Sequence, residues 1–385
     1  MKLFHISDLH IGKQLHYYNL REEQEAVLEA IVQAAEVHKP DALLIAGDIY
    51  DKAAPSAEAY DIFNRFLNRL TESSHRMPVL VIAGNHDNAS RLSYASDFLE
   101  KSRIYISAKA PAVDEPLKKV TLTDEYGEVD VYLLPFIRPR DVRHLFEEGV
   151  VTSYDSAVEA ILARESVDYS RRNVLVAHQF FVAGAAEPER CESEQSYIAV
   201  GGIDSVDIRH AEGFDYVALG HIHGAQRMGA DYIRYSGTPL KYSVSEAGHK
   251  KGITMVRMGR KGEPLVIEQL PLEPLHDVKK LSGTLDEIIN LENAPLADYV
   301  SITLTDEESL YRPKDQLEER YRRILEVRLD NARVRHKLEQ TMTSEEYLTP
   351  FEAFREFYQE MNGQPMSEDE ERVLAEVIET AEEMV

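Results

Sequence analysis

Five short apolar runs punctuate the first 225 residues, and each ends on polar side chains of a metal-ligating type. Leu3 to Ser7 leads into Asp8 and His10, and the run after Pro40, ALLIAGDIYD, closes on Gly47, Asp48 and Asp51. The run after Pro78, VLVIAGNHD, closes on Gly84, Asn85, His86 and Asp87. Val174 to Ala177 delivers His178, and Tyr216 to Leu219 delivers His221 and His223 within ALGHIHGA. Near-continuous apolar runs of strand length, separated by stretches of helical periodicity, predict an α/β fold with strands buried on both faces of a largely parallel sheet. In open α/β sheets ligands bind beyond the carboxyl ends of the strands, so the five run ends predict one site.

His221 and His223 stand at i and i+2 on extended chain and therefore point the same way. The glycines beside the motifs let the backbone turn close to the site. Carboxylate, amide and imidazole donors together suit borderline or hard divalent ions, with manganese, iron and zinc all compatible. Two such ions roughly 3.5 to 4 Å apart can clamp the attacking and leaving oxygens of a phosphate ester and lower the pKa of a bound water. Asp48, central in the set, is the expected bridge, because a carboxylate has two oxygens. The competing explanation is a coincidental collection of loop-end polar groups.

Taken in order, DLH at 8 to 10, GDIYD at 47 to 51, GNHD at 84 to 87, the lone His178 and GHIH at 220 to 223 resemble the five motifs of the calcineurin-like metallophosphoesterases. The resemblance implies two packed mixed β-sheets flanked by helices. It also implies one ion held by Asp8, His10, Asp48 and His223, and a second held by Asp48, Asn85, His178 and His221, with manganese as the expected metal. His86 matches the family's catalytic histidine, which contacts the phosphate and assists the leaving group. HISDLHIGK, Leu15, SGTPLKYS at 236 to 243 and the chain length narrow the resemblance to the SbcD family, the bacterial relatives of Mre11. That family implies a double-strand 3'-5' exonuclease and single-strand or hairpin endonuclease, working with an SbcC/Rad50-type ATPase in DNA end processing, repair and recombination. Asp51 stands where archaeal and eukaryotic members carry a histidine, so its expected role is to orient a neighbouring ligand.

Beyond these motifs, Pro264 to Pro274 is a proline-punctuated exit, which sets a nuclease domain at 1–271. TLDEIINLENAP reads as a short helix and DYVSITLTD as an alternating strand; RPKDQLEERYRRIL reads as an amphipathic helix and LEVRLDNARVRH as strand-like chain. They predict a small α+β capping domain at 272–340. A linker and partner-binding helices then occupy 341–385. Phe351, Phe354, Phe357, Tyr358 and Met361 recur at helical spacing between Pro350 and Gly363, and Val373, Leu374, Val377, Ile378 and Ala381 form a second stripe after PMSEDE. Packing on the chain's own body would explain both stripes, as would helix-in-groove binding to the ATPase partner. Ser56 can cap a helix presenting Ile62, Phe63, Phe66, Leu67 and Leu70, and Leu92, Tyr94, Ala95, Phe98 and Leu99 mark another. In the resembled family these regions form a homodimer's helical bundle, giving a heterotetramer with the ATPase; a core-facing stripe explains them equally well.

Composition changes this picture in two places. The formal charge of -25 over 385 residues is awkward for a DNA-binding chain, although residues 344–385 carry thirteen acidic and two basic side chains. Between 310 and 340, nine Lys or Arg, from Arg312 and Lys314 through Arg320, Arg322, Arg323 and Arg328 to Arg333, Arg335 and Lys337, face six Asp or Glu. They offer a phosphate-tracking surface or a solvated helix with pairs such as Glu318 with Arg322 and Glu319 with Arg323. The single cysteine, Cys191, excludes an internal disulfide and reads as an incidental thiol in a polar loop. No long apolar span or leader appears, so the expected place is the cytoplasm, away from membranes.

Among single residues, His5 reads as a packed core histidine, and Lys13 is near enough to the first motif to meet a phosphate. His16, Tyr17 and Tyr18 could contact DNA or pack as a loop. His144, His210 and His249 have no motif partner and receive no role. Two alternatives stand beside the nuclease: a small-molecule phosphodiesterase or phosphatase on the same site, and a scaffold with a vestigial metal site.

Overall fold

The computed structural model describes residues 1–72, 76–113, 115–194, 204–308, 310–332, 350–362, 364–367, 370–374 and 378. Arg333, Arg335 and Lys337, the linker 341–349, Gly363, Val377 and Ala381 lie outside them. The motif strands divide between two six-stranded mixed sheets, where the hydrophobic pattern alone predicts one. Periodicity reports that a strand is buried on both faces; it does not report which neighbours it pairs with.

The first sheet runs Val266–Pro271, Gly252–Arg257, Lys2–Ile6, Ala42–Ala46, Val79–Ile82, Ile104–Ser107 in spatial order. Its last four strands are parallel, while Gly252–Arg257 and Val266–Pro271 add an antiparallel edge. The second sheet runs Gln226–Met228, Ala230–Tyr235, Tyr216–Leu219, Arg172–Ala177, Gly127–Leu134, Lys118–Asp124. There Tyr216–Leu219 lies parallel to Arg172–Ala177, which brings the last two motif ends side by side.

Alternation along each strand fills three layers. Leu44, Ala46, Leu80 and Ile82 meet Val131, Leu133, Val174, Val176 and Ala218 between the sheets. On the outside of the first sheet, Leu43, Ile45 and Val81 pack under Ile31 of the helix Arg21–His38 and under Phe63 and Phe66 of the helix Ala57–Glu72. Outside the second, Leu175, Val217 and Leu219 pack under Val158 and Ile161 of the helix Tyr154–Arg164. Each fully buried aliphatic side chain contributes about 1.5 to 3 kcal/mol, which fixes the strands and hence the loops at their carboxyl ends. Ser56 caps its helix as predicted, with the Ala59 N–H donating to Ser56 Oγ at 3.2 Å. The stripe Ile62, Phe63, Phe66, Leu67, Leu70 is buried in the chain's own core.

By contact density the described chain forms two compact units, one of residues 1–281, 293–302 and 318–326, the other of 282–292, 303–317 and 327–385. Thr284 and Glu287 form a capping box on the short helix Leu285–Ile289. The helix predicted in RPKDQLEERYRRIL is shorter than expected: it spans Pro313–Glu318, and the strand Arg323–Leu329 begins inside the same stretch. Three of the residues in Arg323–Ile324–Leu325–Glu326–Val327 are aliphatic and favour extended chain, and because the helix ends at Glu318, Arg322 and Arg323 lie beyond it and off the helical spacing expected with Glu318 and Glu319. The tail helix Pro350–Asn362 is present, and Ser367 and Glu370 cap the start of the next, with Ser367 N–H donating to Glu370 Oε2 at 2.8 Å.

Candidate metal centre

The site begins as backbone. Past the ends of Lys2–Ile6 and Ala42–Ala46 the chains stay paired, Asp8 N–H to Gly47 O at 3.0 Å and His10 N–H to Asp48 O at 3.0 Å. Asp8, His10, Asp48 and His221 all adopt left-handed backbone, with φ of 54°, 42°, 51° and 93°. Such conformations cost about 1 to 3 kcal/mol each and persist only where surroundings enforce them. Here they are enforced by carboxylates: Asp87 accepts from the N–H groups of Ile49 at 3.1 Å, Tyr50 at 3.0 Å and Gly84 at 2.9 Å. Asp48 Oδ1 accepts from His86 N–H at 2.9 Å, and both Asp8 oxygens lie 3.1 Å from His221 N. Two glycines are sterically required. A Cβ on Gly47, whose φ is +87°, would strike the His178 ring, and a Cβ on Gly84 would strike the Asp48 carboxylate and amide.

The side chains then converge. Asp48 Oδ2 lies 3.4 Å from His178 Nε2, 3.7 Å from His10 Nε2 and 3.8 Å from His86 Nε2. Asn85 Oδ1 stands 3.0 Å from His178 Nε2 and 2.9 Å from His221 Nδ1, and Asp8 Oδ1 is 4.0 Å from His178 Nε2. His10 Nε2 and His223 Nε2 face each other at 3.1 Å. Every one of the eight residues predicted from the sequence, Asp8, His10, Asp48, Asn85, His86, His178, His221 and His223, is therefore in this cluster. Among the described residues, Asp8 with His10 and His223, His10 with Asp48 and His86, and Asp8 with Asp48 and His178 each form a group able to hold an ion.

Burial lowers the pKa of His221 and His223 to about 3 and that of His10 well below the usual histidine value, so all three are neutral imidazoles with lone pairs to offer. Burial would raise the Asp48 carboxyl, but His178, His86 and His10 around it outweigh that and hold it well below the usual range. Burial, with Asp48 adding repulsion, pushes Asp8 up to about 8. His178 is desolvated yet pushed up to about 9, chiefly by Asp48. Asp8 and His178 thus hold protons beside the Asp48 carboxylate, and a divalent ion would take the place of those protons. Neutral imidazoles, two carboxylates and an amide oxygen make a donor set that fits such ions.

Orientation comes from behind. His178 Nδ1–H donates to Ala46 O at 2.7 Å, leaving Nε2 for the centre, and His86 Nδ1–H donates to the Asp51 carbonyl at 2.8 Å. His223 Nδ1 meets Ser193 Oγ at 2.7 Å; Ser193 in turn donates to Glu246 Oε1 at 2.8 Å, and Glu246 pairs with Lys251 at 2.6 Å. Sequence reasoning missed Ser193, Glu246, Lys251 and Glu194, whose carboxylate accepts from the His223 N–H, and the role of Asp87. Only Asp87 had a sequence signal, its place in GNHD; the others lie in segments with no distinctive spacing.

Other single residues resolve as follows. Asp51 holds Lys13 at 2.9 Å and orients His86 through its backbone, while its carboxylate stands 3.9 Å from His10 Nδ1. Cys191, expected in a polar loop, is instead buried, 4.0 Å from His249, with Glu246 close enough to make a fourth candidate ligand group. The chain around it is polar in sequence but folds under the 243–249 turn. Tyr17 donates to Ile324 O at 2.6 Å and Tyr18 packs edge-on against Tyr299, which supports the loop-packing alternative. His5 is buried at 2.8 Å from Tyr216 OH, and His210 pairs with Asp155.

The calcineurin-like phosphoesterase family matches residues 1–225, and a second family, described as the type 5 capsule protein repressor C-terminal domain, matches residues 274–362. The SbcD subunit of nuclease SbcCD from Staphylococcus epidermidis is 30% identical over 330 residues, 84% of each chain. The protein of the same name from Staphylococcus saprophyticus is 31% identical over 291 residues, 75% of this chain and 73% of that one. A solved structure, TT1561 of Thermus thermophilus, aligns at 12% identity with a TM-score of 0.40, covering 70% of this chain and 98% of that one. With the phosphoesterase match spanning more than half of its length and the SbcD relatives most of it, the chain belongs to the calcineurin-like phosphoesterases and, among them, to the SbcD family of SbcCD nuclease subunits.

Proposed function

We propose that this chain is a metal-dependent DNA nuclease whose centre holds two ions, one on Asp8, His10, Asp48 and His223 and one on Asp48, Asn85, His178 and His221, with manganese as the metal. Its family makes it a phosphodiester hydrolase that works with an SbcC-type partner. The observation that carries the reading is the approach of one Asp48 oxygen to three imidazole nitrogens, on loops from three different strands, at 3.4 to 3.8 Å. When bound, the ions supply Lewis-acid activation of water and neutralise charge on the phosphate. The protein's own groups do the rest. Asp8 and Asp48 fix the ligand loops through backbone hydrogen bonds, and the Asp51 carbonyl directs His86 so that its Nε2 serves the departing oxygen.

The layout proposed for the chain is a nuclease domain at 1–271, a capping domain at 272–340 and partner-binding helices at 341–385. Support for the last comes from the tail helix, where Phe354, Phe357 and Met361 are 48%, 57% and 69% exposed. An amphipathic helix with its aromatic side chains in solvent suits a groove on the ATPase. A homodimer, and with the ATPase a heterotetramer, is supported by the exposed Tyr94 and Phe98 after the GNHD motif. No described helix is long and apolar enough to cross a membrane, and action on DNA in the cytoplasm fits the reading.

The test is cleavage of end-labelled hairpin and linear duplex DNA in manganese, by the chain alone and with its ATPase partner, beside His86→Ala and bis-p-nitrophenyl phosphate. DNA cleavage lost in the variant supports the reading. Hydrolysis of the small ester with DNA untouched in both settings replaces it with a small-molecule phosphodiesterase, the alternative that the charge of -25 favours.

A further inference from the structure

A cavity of about 200 Å³ opens directly beside the candidate centre, lined by Asn85, Phe136, Arg138, Tyr154, Phe180, Asp204 and His221. Asn85 and His221 are proposed metal ligands; the other five, the Asp204 carboxylate among them, are not. Phe136 lies nearly parallel to the His221 ring, 19° at 6.3 Å, and meets Tyr154 at 6.1 Å. The Arg138 guanidinium sits 5.0 Å from the Phe136 centroid, and Arg190 caps Phe180 at 4.2 Å. Phe136, Arg138 and Tyr154 are only half buried. Arg138 makes no ion pair among the described residues. The segment is anchored, because Phe136 N–H donates to Ala83 O at 2.8 Å, on the loop that delivers Asn85.

Such a chamber, with aromatic walls beside Asn85, Arg138 and Asp204, suits a flat, polarisable ring that carries polar edges. It is smaller than the roughly 300 to 1,000 Å³ of pockets for drug-sized ligands, which limits it to a single ring system. Aromatic walls with a guanidinium at the rim are the means by which proteins hold unpaired bases on a phosphate backbone. The cavity shares Asn85 and His221 with the centre, so its occupant is attached to the group that reacts there.

We propose that this cavity is a nucleobase subsite: Phe136 and Tyr154 stack the base of the nucleotide next to the scissile phosphate, and Arg138 takes that nucleotide's neighbouring phosphate. The inference rests on the nuclease reading and deepens it. A base seated here is unpaired, so the strand being cut is splayed from its complement at the cleavage point. Phe136 and Arg138 are specificity residues and hold no proton or ion in the reaction.

Two esters separate the contributions: thymidine 5'-(p-nitrophenyl phosphate) and methyl p-nitrophenyl phosphate, which share a leaving group and differ in the base. Stacking of one base is worth enough for a preference in kcat/KM of about 10-fold or more for the thymidine ester. Wild type and Phe136→Tyr should show that preference, and in Phe136→Leu, which keeps volume without the π face, the ratio of kcat/KM between the two esters should fall to about one. Independently of turnover, 2-aminopurine at that nucleotide of a single-stranded oligonucleotide should be quenched on binding to His86→Ala protein and not on binding to protein also carrying Phe136→Leu. Equal use of both esters by wild type, or quenching indifferent to Phe136, overturns the subsite. DNA cleaved equally well with an abasic residue at that position overturns it too and leaves the nuclease standing. DNA left intact by the wild-type protein, with esters still hydrolysed, overturns the nuclease reading and the subsite together.

Discussion

The Nε2 atoms of His10 and His223, 213 residues apart in the chain, face each other at 3.1 Å. Both rings are buried and neutral, so neither nitrogen is held there by charge. One neutral ring can donate its N–H to the lone pair of the other across this gap, and an ion bound by both would replace that hydrogen bond. The relationship connects the first strand of one sheet with a loop of the other, so it exists only when the two sheets are packed together.

Removing either imidazole should therefore remove one ion and leave the other. By equilibrium dialysis the wild-type chain is expected to bind two Mn2+, while His10→Ala and His223→Ala bind one tightly. Unchanged stoichiometry in both variants would rule out the assignment of these side chains.

Gly84→Ala places a methyl group against the Asp48 carboxylate and against its backbone amide, which cannot swing aside as a side chain can. Displacement of about 1 Å at such a centre can cost about 100-fold in rate. Nuclease activity should fall by at least that factor while circular dichroism stays native; full activity would show that the loop has slack.

Glu246 is buried, yet Lys251 and the groups around it bring its carboxyl down to about 2. A depressed folded-state pKa means that its contribution is complete above the ordinary value near 4.5 and is lost as pH falls toward 2. The difference corresponds to about 3 kcal/mol. Urea midpoints of the wild type are expected to fall between pH 6 and pH 3 more steeply than those of Glu246→Gln, and parallel curves would contradict the assignment.

Charge placed on the exposed face of the tail helix should abolish partner binding without touching the fold. Phe357→Glu and Met361→Glu are predicted to weaken association with the ATPase by about 30-fold or more, the loss typical of a buried anchor residue. Their melting temperatures should match the wild type. Loss of stability in both variants would instead place that face against the chain itself.

How much of this was legible beforehand follows from what each signal encodes. Asp8, His10, Asp48, Asn85, His86, His178, His221 and His223 could be named from the sequence because each ends an apolar run, and a strand's burial leaves its mark on every residue in it. The α/β class, the Ser56 cap and the tail helix were legible for the same reason, since local periodicity and capping act over a few residues. Pairing is not local. Which strands joined which sheet, the extended chain at Arg323–Leu329 inside a helical pattern, and the burial of Cys191 were all decided by distant contacts. So were Ser193 and Glu246 behind His223, and the Phe136 cavity, whose residues come from separate segments of the chain. The sequence determined which groups would stand at the strand ends; only the packing of two sheets decided how they face one another, because a hydrogen bond or a shared ion requires atoms within a few ångströms, and chain order says nothing about that distance.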